Sequence, residues 1–384
     1  MNSATIENKF KELYKSNPLL VRSPGRINLI GEHTDYNDGF VFPAAIDKEI
    51  LFAVAKNNLN TFRFYANDLD ESFELPLDKL KKSETHWANY LLGVAAQFKK
   101  AGYTLQGIDC VFGGDIPLGA GLSSSAAIEN GFAFALNEIF QFEVSKIDMI
   151  KMAQKAEHEY AGVLCGIMDQ FASMHGKKNH ALKLDCRSLD YQYASIDLKD
   201  YSIVLCDTKV KHELASSAYN TRRKECETGV SILQQYNSNI TALRDVSIEL
   251  LNLHQKDFDP IIYKRCKYVI EENMRVESAF LALQNNDIIA LGALMYQSHL
   301  GLQNDYEVSC SELDLLYDFA QKSDAVIGAR MMGGGFGGCT INMVKKNHIA
   351  PFSDELTAYY LDKTGVIPEI YEVEITNGTS TSLI

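Results

Sequence analysis

The sequence predicts an α+β fold in two parts, on the basis of three observations. Strand-like and helix-like segments are mixed in both halves of the chain, without a regular βαβ alternation. The length of 384 residues, 46% of them hydrophobic, suits two domains or one large one. The pattern changes near residues 200–212, where strands give way to long helical periodicity. We therefore expect an N-terminal domain over residues 1–205 and a C-terminal domain over residues 206–384.

The elements follow from local patterns along the chain. Residues 20–75 carry β-branched and aromatic residues between Asn and Asp turn signals, which predicts strands. A helix is expected from Tyr90 to a glycine cap at Gly102, and a second helix from a capping box at Ser145 and Asp148. Between them we expect a strand at GIDCVFGGDIP and a long buried helix at AAIENGFAFALNEIF. Later strands are expected at ALKLDCRSLDYQYASIDL, YSIVLCDTKV, AVIGAR and EIYEVEIT.

Composition excludes several classes of function. The net charge of −13 argues against a basic surface for nucleic acid. The start MNSATIENKF lacks the features of a signal peptide, and no apolar run approaches the roughly 18 residues of a membrane span. Eight scattered cysteines without a CxxC pair argue against a zinc site or a disulfide framework. We expect a cytoplasmic protein with reduced thiols that binds neither nucleic acid nor membrane.

The segment SPGRINLIGEHTDYNDG, residues 23–39, concentrates hydrogen-bonding side chains around two glycines. Arg26, Glu32, His33 and Asp35 fall within ten residues. Carboxylates accept from sugar hydroxyls and an imidazole can donate or accept, so the segment suits a polyol. The alternative is a solvated turn.

The segment PLGAGLSSSAA, residues 117–127, has the character of an anion-binding loop without the lysine of a Walker motif. Gly119 and Gly121 allow successive backbone N–H groups to face one anion, and a helix N-terminus follows. The hydroxyls of Ser123 to Ser125 can donate to phosphate or bind Mg²⁺. A triphosphate could therefore bind here without a lysine. The alternative is a glycine turn with a serine N-cap.

Two further segments complete the set of motifs. MMGGGFGG, residues 331–338, has five glycines in six residues, which predicts a packed loop that approaches a ligand closely, the alternative being a flexible hairpin tip. AEHEYAGVLCGIMDQFASMHG contains Glu157 and, among apolar residues, Asp169. A carboxylate in such a setting is paired, protonated or functional. A structural N-cap is an equal alternative for Asp169.

Together these segments resemble the GHMP small-molecule kinases and, within them, the galactokinase family. GRINLIGEHTDYN is similar to the family's sugar-binding signature and PLGAGLSSSAA to its phosphate loop. CGIMDQFAS is similar to its catalytic-aspartate segment and RMMGGGFGGC to its third motif. The resemblance implies a two-domain GHMP kinase fold with the active site in the cleft. The N-terminal part would be a mixed sheet with helices, like ribosomal protein S5 domain 2, and the C-terminal part a ferredoxin-like α+β domain.

The resemblance also implies an activity: transfer of the ATP γ-phosphoryl group to the C1 hydroxyl of α-D-galactose, the first committed step of the Leloir pathway. Asp169 would accept or orient the hydroxyl proton, and Arg26 would keep it ionised. The other implied roles are sugar binding by Glu32, His33, Asp35, Gly166, Asp169 and Tyr219; phosphate binding by Gly119, Ala120, Gly121, Leu122, Ser123 and Ser124; Mg²⁺ binding by Ser125 and Glu157; and an adenine-side contact by Trp87.

Several alternatives stay open on the sequence. The substrate could be N-acetylgalactosamine, arabinose or galacturonic acid instead of galactose, or the chain could be a non-catalytic sensor of ATP and galactose. Retention of Asp169, Arg26 and Ser125 argues against a sensor. At Met332 many relatives carry Thr, which puts one polar contact near the glycine loop in doubt. The resemblance favours a monomer.

Overall fold

The computed structural model describes residues 3–117, 119–211 and 215–382. Leu118, within the predicted phosphate loop, and residues 212–214 lie outside the described residues. The strands are β1 (Leu19–Asn28), β2 (Phe40–Val41), β3 (Pro43–Lys56), β4 (Thr61–Ala66), β5 (Glu71–Pro76), β6 (Ile108–Gly114), β7 (His180–Asp185), β8 (Tyr191–Ser195), β9 (Tyr201–Lys211), β10 (Val326–Met331), β11 (Gly337–Lys345), β12 (Glu369–Val373) and β13 (Ser380–Thr381). The helices are α1 (Ser3–Tyr14), α2 (Ala88–Lys100), α3 (Ser124–Phe140), α4 (Lys146–Ala156), α5 (Met168–His175), α6 (Ala215–Leu233), α7 (Ile248–Leu253), α8 (Pro260–Gln284), α9 (Ile288–Gly301), α10 (Ser311–Lys322) and α11 (Ile349–Thr364).

The first sheet has the strand order β13-β1-β3-β6-β4-β5 and is mixed, because β4 and β6 pair in parallel while the other pairs are antiparallel. Successive side chains of β3 point to opposite faces of the sheet, and both faces are buried. Phe52 and Val54 belong to the main core, whereas Leu51 and Ala53 pack in a smaller cluster with Phe10 of α1. Helices α3 and α5 pack against β1 and β3.

The second sheet is antiparallel, with the order β10-β11-β9-β12, and is covered by α9, α10 and α11. A small third sheet, β2-β7-β8, lies beside the segment that follows β1. The α+β class, with a mixed sheet in the first half and an α+β second half, is confirmed. The glycine motif of residues 331–338 connects β10 to β11, so the segment after it is a strand.

The two halves are joined more closely than two sequence ranges suggest. A cut between residues 205 and 206 would divide β9, and β13 pairs with β1 in the first sheet. The main apolar core also contains residues from both sheets, including Phe52 of β3 and Ile341 of β11. The N-terminal and C-terminal parts therefore share one core, and the chain returns to the first part at its end.

Local capping explains the helix ends near the site. The Ser145 hydroxyl accepts from the Asp148 N–H at the start of α4, as its capping box predicts. After Ala156 the helix widens into a π-helical turn over Glu157–Ala161, a geometry that is common at functional sites. Within the part of the chain that the structure describes, no helix combines the length and the apolar character needed to cross a membrane.

The contact between α9 and β10 gives a test of the packing. A Cβ on Gly292 would lie 2.0 Å from the Ile327 carbonyl oxygen. Helix propensity alone would make Gly292→Ala stabilising by about 1 kcal/mol, but we expect a net loss of about 1–3 kcal/mol because the added methyl group overpacks this contact. Urea unfolding measures the difference. Ala293→Gly, at the exposed neighbour, calibrates propensity in the same helix, and a stabilised Gly292→Ala variant would contradict the contact.

Candidate active site

A cavity of about 140 Å³ lies where the segment after β1, the N-terminus of α5 and the β10–β11 connection meet. It contains every residue predicted for catalysis and sugar binding, together with one of the two predicted metal ligands. Its lining consists of Arg26, Glu32, His33, Asp35, Glu157, Val163, Cys165, Gly166, Met168, Asp169, Tyr219, Gly333 and Gly334.

Arg26 and Asp169 form a bidentate ion pair at this cavity. Nε of Arg26 donates to Oδ1 of Asp169 at 2.8 Å, and Nη2 donates to Oδ2 at 2.9 Å. Burial alone would lower the pKa of Arg26, but the charges of Asp169 and Glu32 outweigh burial and raise it. The Asp169 side chain keeps 26% of its surface exposed. A carboxylate fixed on one side by a guanidinium and open on the other can receive a ligand hydroxyl.

A bulge in β1 lets the phosphate loop reach Arg26. The register of β1 with β3 shifts between Pro24 and Arg26. A Cβ on Gly25 would lie 2.7 Å from the Leu122 carbonyl oxygen, so this position excludes any side chain. Nη1 of Arg26 donates to the Gly121 carbonyl at 2.5 Å. One side chain thereby joins the strand, the loop and the aspartate.

Ser123 has a partner that its sequence context did not reveal. It stands just before α3 with a left-handed φ of 59°, and its hydroxyl donates to Oδ2 of Asp169. We predicted this hydroxyl as a phosphate ligand. In the structure it is a further donor to the aspartate, and Ser124 and Ser125 form the first turn of α3.

Glu32 is buried, and one of its two carboxylate oxygens accepts hydrogen bonds from the protein. Its Oε1 accepts from Nη2 of Arg330 at 2.9 Å and from the Gly333 N–H at 2.8 Å. Both donors come from the end of β10 and the third glycine motif. The sugar-binding signature and the glycine motif are therefore in direct contact.

His33 is held by hydrogen bonds at both ring nitrogens. Nε2 lies 3.2 Å from the Gly334 carbonyl, which can only accept, so we place the ring proton on Nε2. Nδ1 then accepts from the Tyr36 hydroxyl at 2.7 Å, and that hydroxyl accepts from Tyr306 at 2.7 Å. Burial lowers the pKa of His33 to about 3, which keeps the ring neutral. Its role as a sugar ligand remains a prediction that must accommodate these two bonds.

Asp35 faces the segment that precedes Asp169. A Cβ on Gly166 would lie 1.8 Å from Oδ2 of Asp35, so only glycine leaves room for this carboxylate. Burial, and then the charge of Asp169, raise the pKa of Asp35 to about 7. The Tyr219 ring of α6 lies 5.2 Å from the His33 ring and closes this side of the cavity.

Ser125 and Glu157, which we predict as Mg²⁺ ligands, lie in the same part of the structure. The Ser125 hydroxyl lies near the Glu157 carboxylate. Nε2 of Gln170 donates to Oε2 of Glu157 at 2.8 Å and lies 3.3 Å from Oε2 of Glu129. Burial, and then the charge of Asp169, raise the pKa of Glu157.

The phosphate loop packs on the third glycine motif. Gly119 and Gly121 have left-handed φ values of 81° and 76°, Ala120 and Leu122 are buried, and a Cβ on Gly338 would lie 3.5 Å from the backbone of Ala120. The third motif is a packed loop, because the Phe336 N–H donates to the Val308 carbonyl at 2.7 Å.

Two positions singled out from the sequence, Trp87 and Met332, do not line the cavity. Trp87 lies outside the cavity, where its indole N–H donates to Glu71 at 2.7 Å and its ring contacts Phe73 and Phe112. The adenine-side role of Trp87 stays a prediction. Met332 is buried, and its sulfur accepts from the Asn28 N–H at 3.4 Å, so a weak acceptor takes the place of a hydroxyl.

The sequence reasoning missed three residues of this site. Arg330 lies in the apolar run AVIGAR, where a charged residue was itself a signal. Glu129 lies one helical turn after Ser125 and therefore on the same face of α3. Gln170 follows Asp169 directly, and nothing in the sequence marks it.

Three protein-family models match ranges of this chain. A model described as the galactokinase galactose-binding signature matches residues 8–56. The models for the N-terminal and C-terminal domains of GHMP kinases match residues 89–177 and 279–362. The first match ends before the phosphate loop, and the second contains that loop, Glu157 and Asp169.

Individual relatives match over nearly the whole chain. Galactokinases from Thermosipho africanus and Clostridium acetobutylicum are 43% and 42% identical, covering 94% and 97% of this chain and 99% and 97% of their own. The crystal structure of Lactococcus lactis galactokinase complexed with galactose superposes with a TM-score of 0.95 at 34% identity, covering 99% of both chains. A mevalonate kinase structure, 20% identical with a TM-score of 0.62 over 94% of this chain and 99% of its own, shares the fold. The chain belongs to the galactokinase family of the GHMP kinases.

Proposed function

We propose that this protein transfers the γ-phosphoryl group of ATP to the C1 hydroxyl of α-D-galactose. The observation that carries the proposal is the Arg26–Asp169 pair, which lies at a polar cavity next to the N-terminus of α3. Phosphoryl transfer needs mainly positioning and charge stabilisation, and these groups supply both. The relatives named above, over nearly the full length of the chain, support galactose as the sugar.

The proposed mechanism assigns the acceptor hydroxyl to Asp169. Arg26 and Ser123 hold the carboxylate in place, so that it can orient the C1 hydroxyl and accept its proton while the C1 oxygen bonds to the γ-phosphorus and the bond from that phosphorus to the bridging oxygen of ADP breaks. Arg26 also offsets the negative charge that builds on the transferring group. The backbone N–H groups of residues 119–124 and the first turn of α3 would bind the phosphates, because a helix N-terminus attracts anions. Trp87 would lie on the adenine side.

The sugar would be held by carboxylates on two sides. Glu32 and Asp35 line the cavity together with Gly166 and Tyr219. Each ionised carboxylate accepts from hydroxyl groups, and a wrong epimer would leave such a group unpaired.

Ser125 and Glu157 suit Mg²⁺. Both offer oxygen atoms, and the two side chains lie near each other. Among the described residues no cluster of three or more His, Cys, Asp or Glu side chains could hold a metal. Few protein ligands are what Mg²⁺ uses when substrate phosphates complete its shell. When bound, Mg²⁺ would neutralise charge on the phosphates.

Substrate selectivity tests the proposed reaction directly. A coupled assay of ADP release should show turnover with galactose. The kcat/KM for glucose, arabinose or N-acetylgalactosamine should be lower than that for galactose by about 100-fold or more. Each of these sugars leaves a polar group of the site unpaired or meets a steric conflict. Selectivity for one of the other three sugars would reassign the substrate. ATP and galactose binding without turnover on any sugar would favour a sensor.

Replacement of the aspartate tests its catalytic role. Asp169→Asn should retain galactose binding by calorimetry to within about threefold but lose turnover by about 10²–10⁴-fold, because the amide cannot accept a proton. Asp109→Asn is the matched control, since Asp109 forms the same bidentate pair with Arg63, at 2.7 Å for both bonds, away from the cavity. Turnover by Asp169→Asn equal to that of the control would rule out the assignment.

The raised pKa of Asp35 predicts a pH dependence. Galactose affinity should weaken by up to about tenfold per pH unit below pH 7 and level off above it, because the ionised carboxylate is the better acceptor. Calorimetry from pH 5.5 to 8.5 measures this.

Folding stability isolates the contribution of Asp35. A carboxyl whose pKa is raised on folding stabilises the fold at low pH, and that contribution is lost as pH rises from about 4 to about 7. The Asp35→Asn variant should therefore gain about 3–4 kcal/mol relative to the parent over this range. A difference in unfolding free energy that is independent of pH would show that Asp35 is ionised throughout.

A further inference from the structure

We propose that Arg330 is a positioning residue for the sugar, and that it acts by fixing which oxygen of Glu32 faces the cavity. The inference rests on the proposed sugar-binding role of Glu32. Arg330 does not line the cavity itself. It is fully buried at the end of β10, in the C-terminal part of the chain.

The guanidinium of Arg330 is directed at the sugar-binding signature. Nε donates to the Leu29 carbonyl at 2.8 Å. Nη2 donates to the Asn28 carbonyl at 2.6 Å and to Oε1 of Glu32 at 2.9 Å. Nη1 donates to the Met331 carbonyl at 2.8 Å. Three of these four acceptors belong to residues 28–32, and none belongs to the phosphate loop.

These contacts leave Glu32 with one oxygen for a ligand. Oε1 accepts from both Arg330 and the Gly333 N–H. Within the described ranges no protein hydrogen bond reaches Oε2, and Glu32 lines the cavity. A carboxylate held at one oxygen by a charged donor and an N–H has little freedom to rotate. Oε2 is therefore presented to the sugar in one orientation.

Burial makes the pair interdependent. Arg330 is 0% exposed and Glu32 2% exposed. A buried charge that loses its partner is strongly unfavourable, so each of these two charges requires the other. The planar fork of arginine reaches several acceptors at once, whereas a lysine ammonium is a single point of charge. Arg330→Lys therefore keeps the positive charge but loses the fixed set of hydrogen bonds that the guanidinium makes.

The main experiment compares Arg330→Lys with Arg265→Lys. Arg265 is a matched control because it is 2% exposed and donates to the Asp305 carbonyl at 2.6 Å and to Glu307 at 2.8 Å, neither of which lines the cavity. We expect Arg330→Lys to raise the galactose Kd and KM by about tenfold or more. The KM for ATP should change by less than about threefold in this variant. Arg265→Lys should leave the galactose Kd within about twofold of the parent value. Equal losses for galactose and ATP, or an equal rise in galactose Kd in the control, would overturn the inference.

A double-mutant cycle tests whether Arg330 acts through Glu32. If it does, Arg330→Lys should weaken galactose binding by less than about threefold when Glu32→Gln is already present. Independent, multiplying effects would overturn the inference. If Arg330→Lys binds galactose normally while Glu32→Gln binds it weakly, the role of Arg330 is wrong and the role of Glu32 stands. If Glu32→Gln also binds galactose normally, the proposed sugar-binding role of Glu32 is wrong too.

The neutral pair Arg330→Gln with Glu32→Gln provides a second route if Arg330→Lys fails to fold, because it buries no unpaired charge. It should bind galactose as weakly as Glu32→Gln alone. Parental affinity in this double variant would overturn the inference.

Discussion

The ion pair between Arg26 and Asp169 is the contact on which the arrangement of the site depends. Arg26 comes from β1 and Asp169 from α5, and a third hydrogen bond of Arg26 goes to Gly121 in the phosphate loop. A buried guanidinium must keep its partners, because an unpaired buried charge is strongly unfavourable. Strand β1, the loop that precedes α3, and helix α5 therefore cannot shift independently. Ser123 adds a second link between the loop and the same carboxylate.

A similar constraint joins the two halves of the molecule around the segment that follows β1. This segment buries backbone groups that have no partner in its own part of the chain, and side chains of α8 satisfy them: Glu272 accepts from the Gly31 N–H, Asn273 accepts from the Phe40 N–H, and Tyr268 donates to the Glu32 carbonyl. Buried backbone groups are nearly always paired. The residues predicted to bind the sugar are thus supported by the C-terminal half, and the cavity lies where both halves meet.

Local rules predict which residues line the cavity better than which partners they have. Asp169 was recognised because a carboxylate in an apolar segment is paired or functional, and the structure pairs it with Arg26. The same rule applied to Arg330 in AVIGAR would have found a residue that the motifs did not mark. Ser123 and Ser125 stand in the same run of serines, yet the hydroxyl of Ser123 donates to Asp169 whereas Ser125 lies near Glu157. Such a difference depends on where α3 begins relative to α4 and α5.

The sequence by itself determined the α+β class, the glycine turns, the capped helices and the set of chemical groups at the site, because each follows from residues close together in the chain. Only the tertiary structure decided the pairing of these groups, the protonation of His33 and the raised pKa of Asp35. The partners are far apart in sequence: 143 residues separate Arg26 from Asp169, and 301 separate His33 from Gly334. Burial and hydrogen bonding depend on the packing of distant segments, and no local pattern encodes that packing.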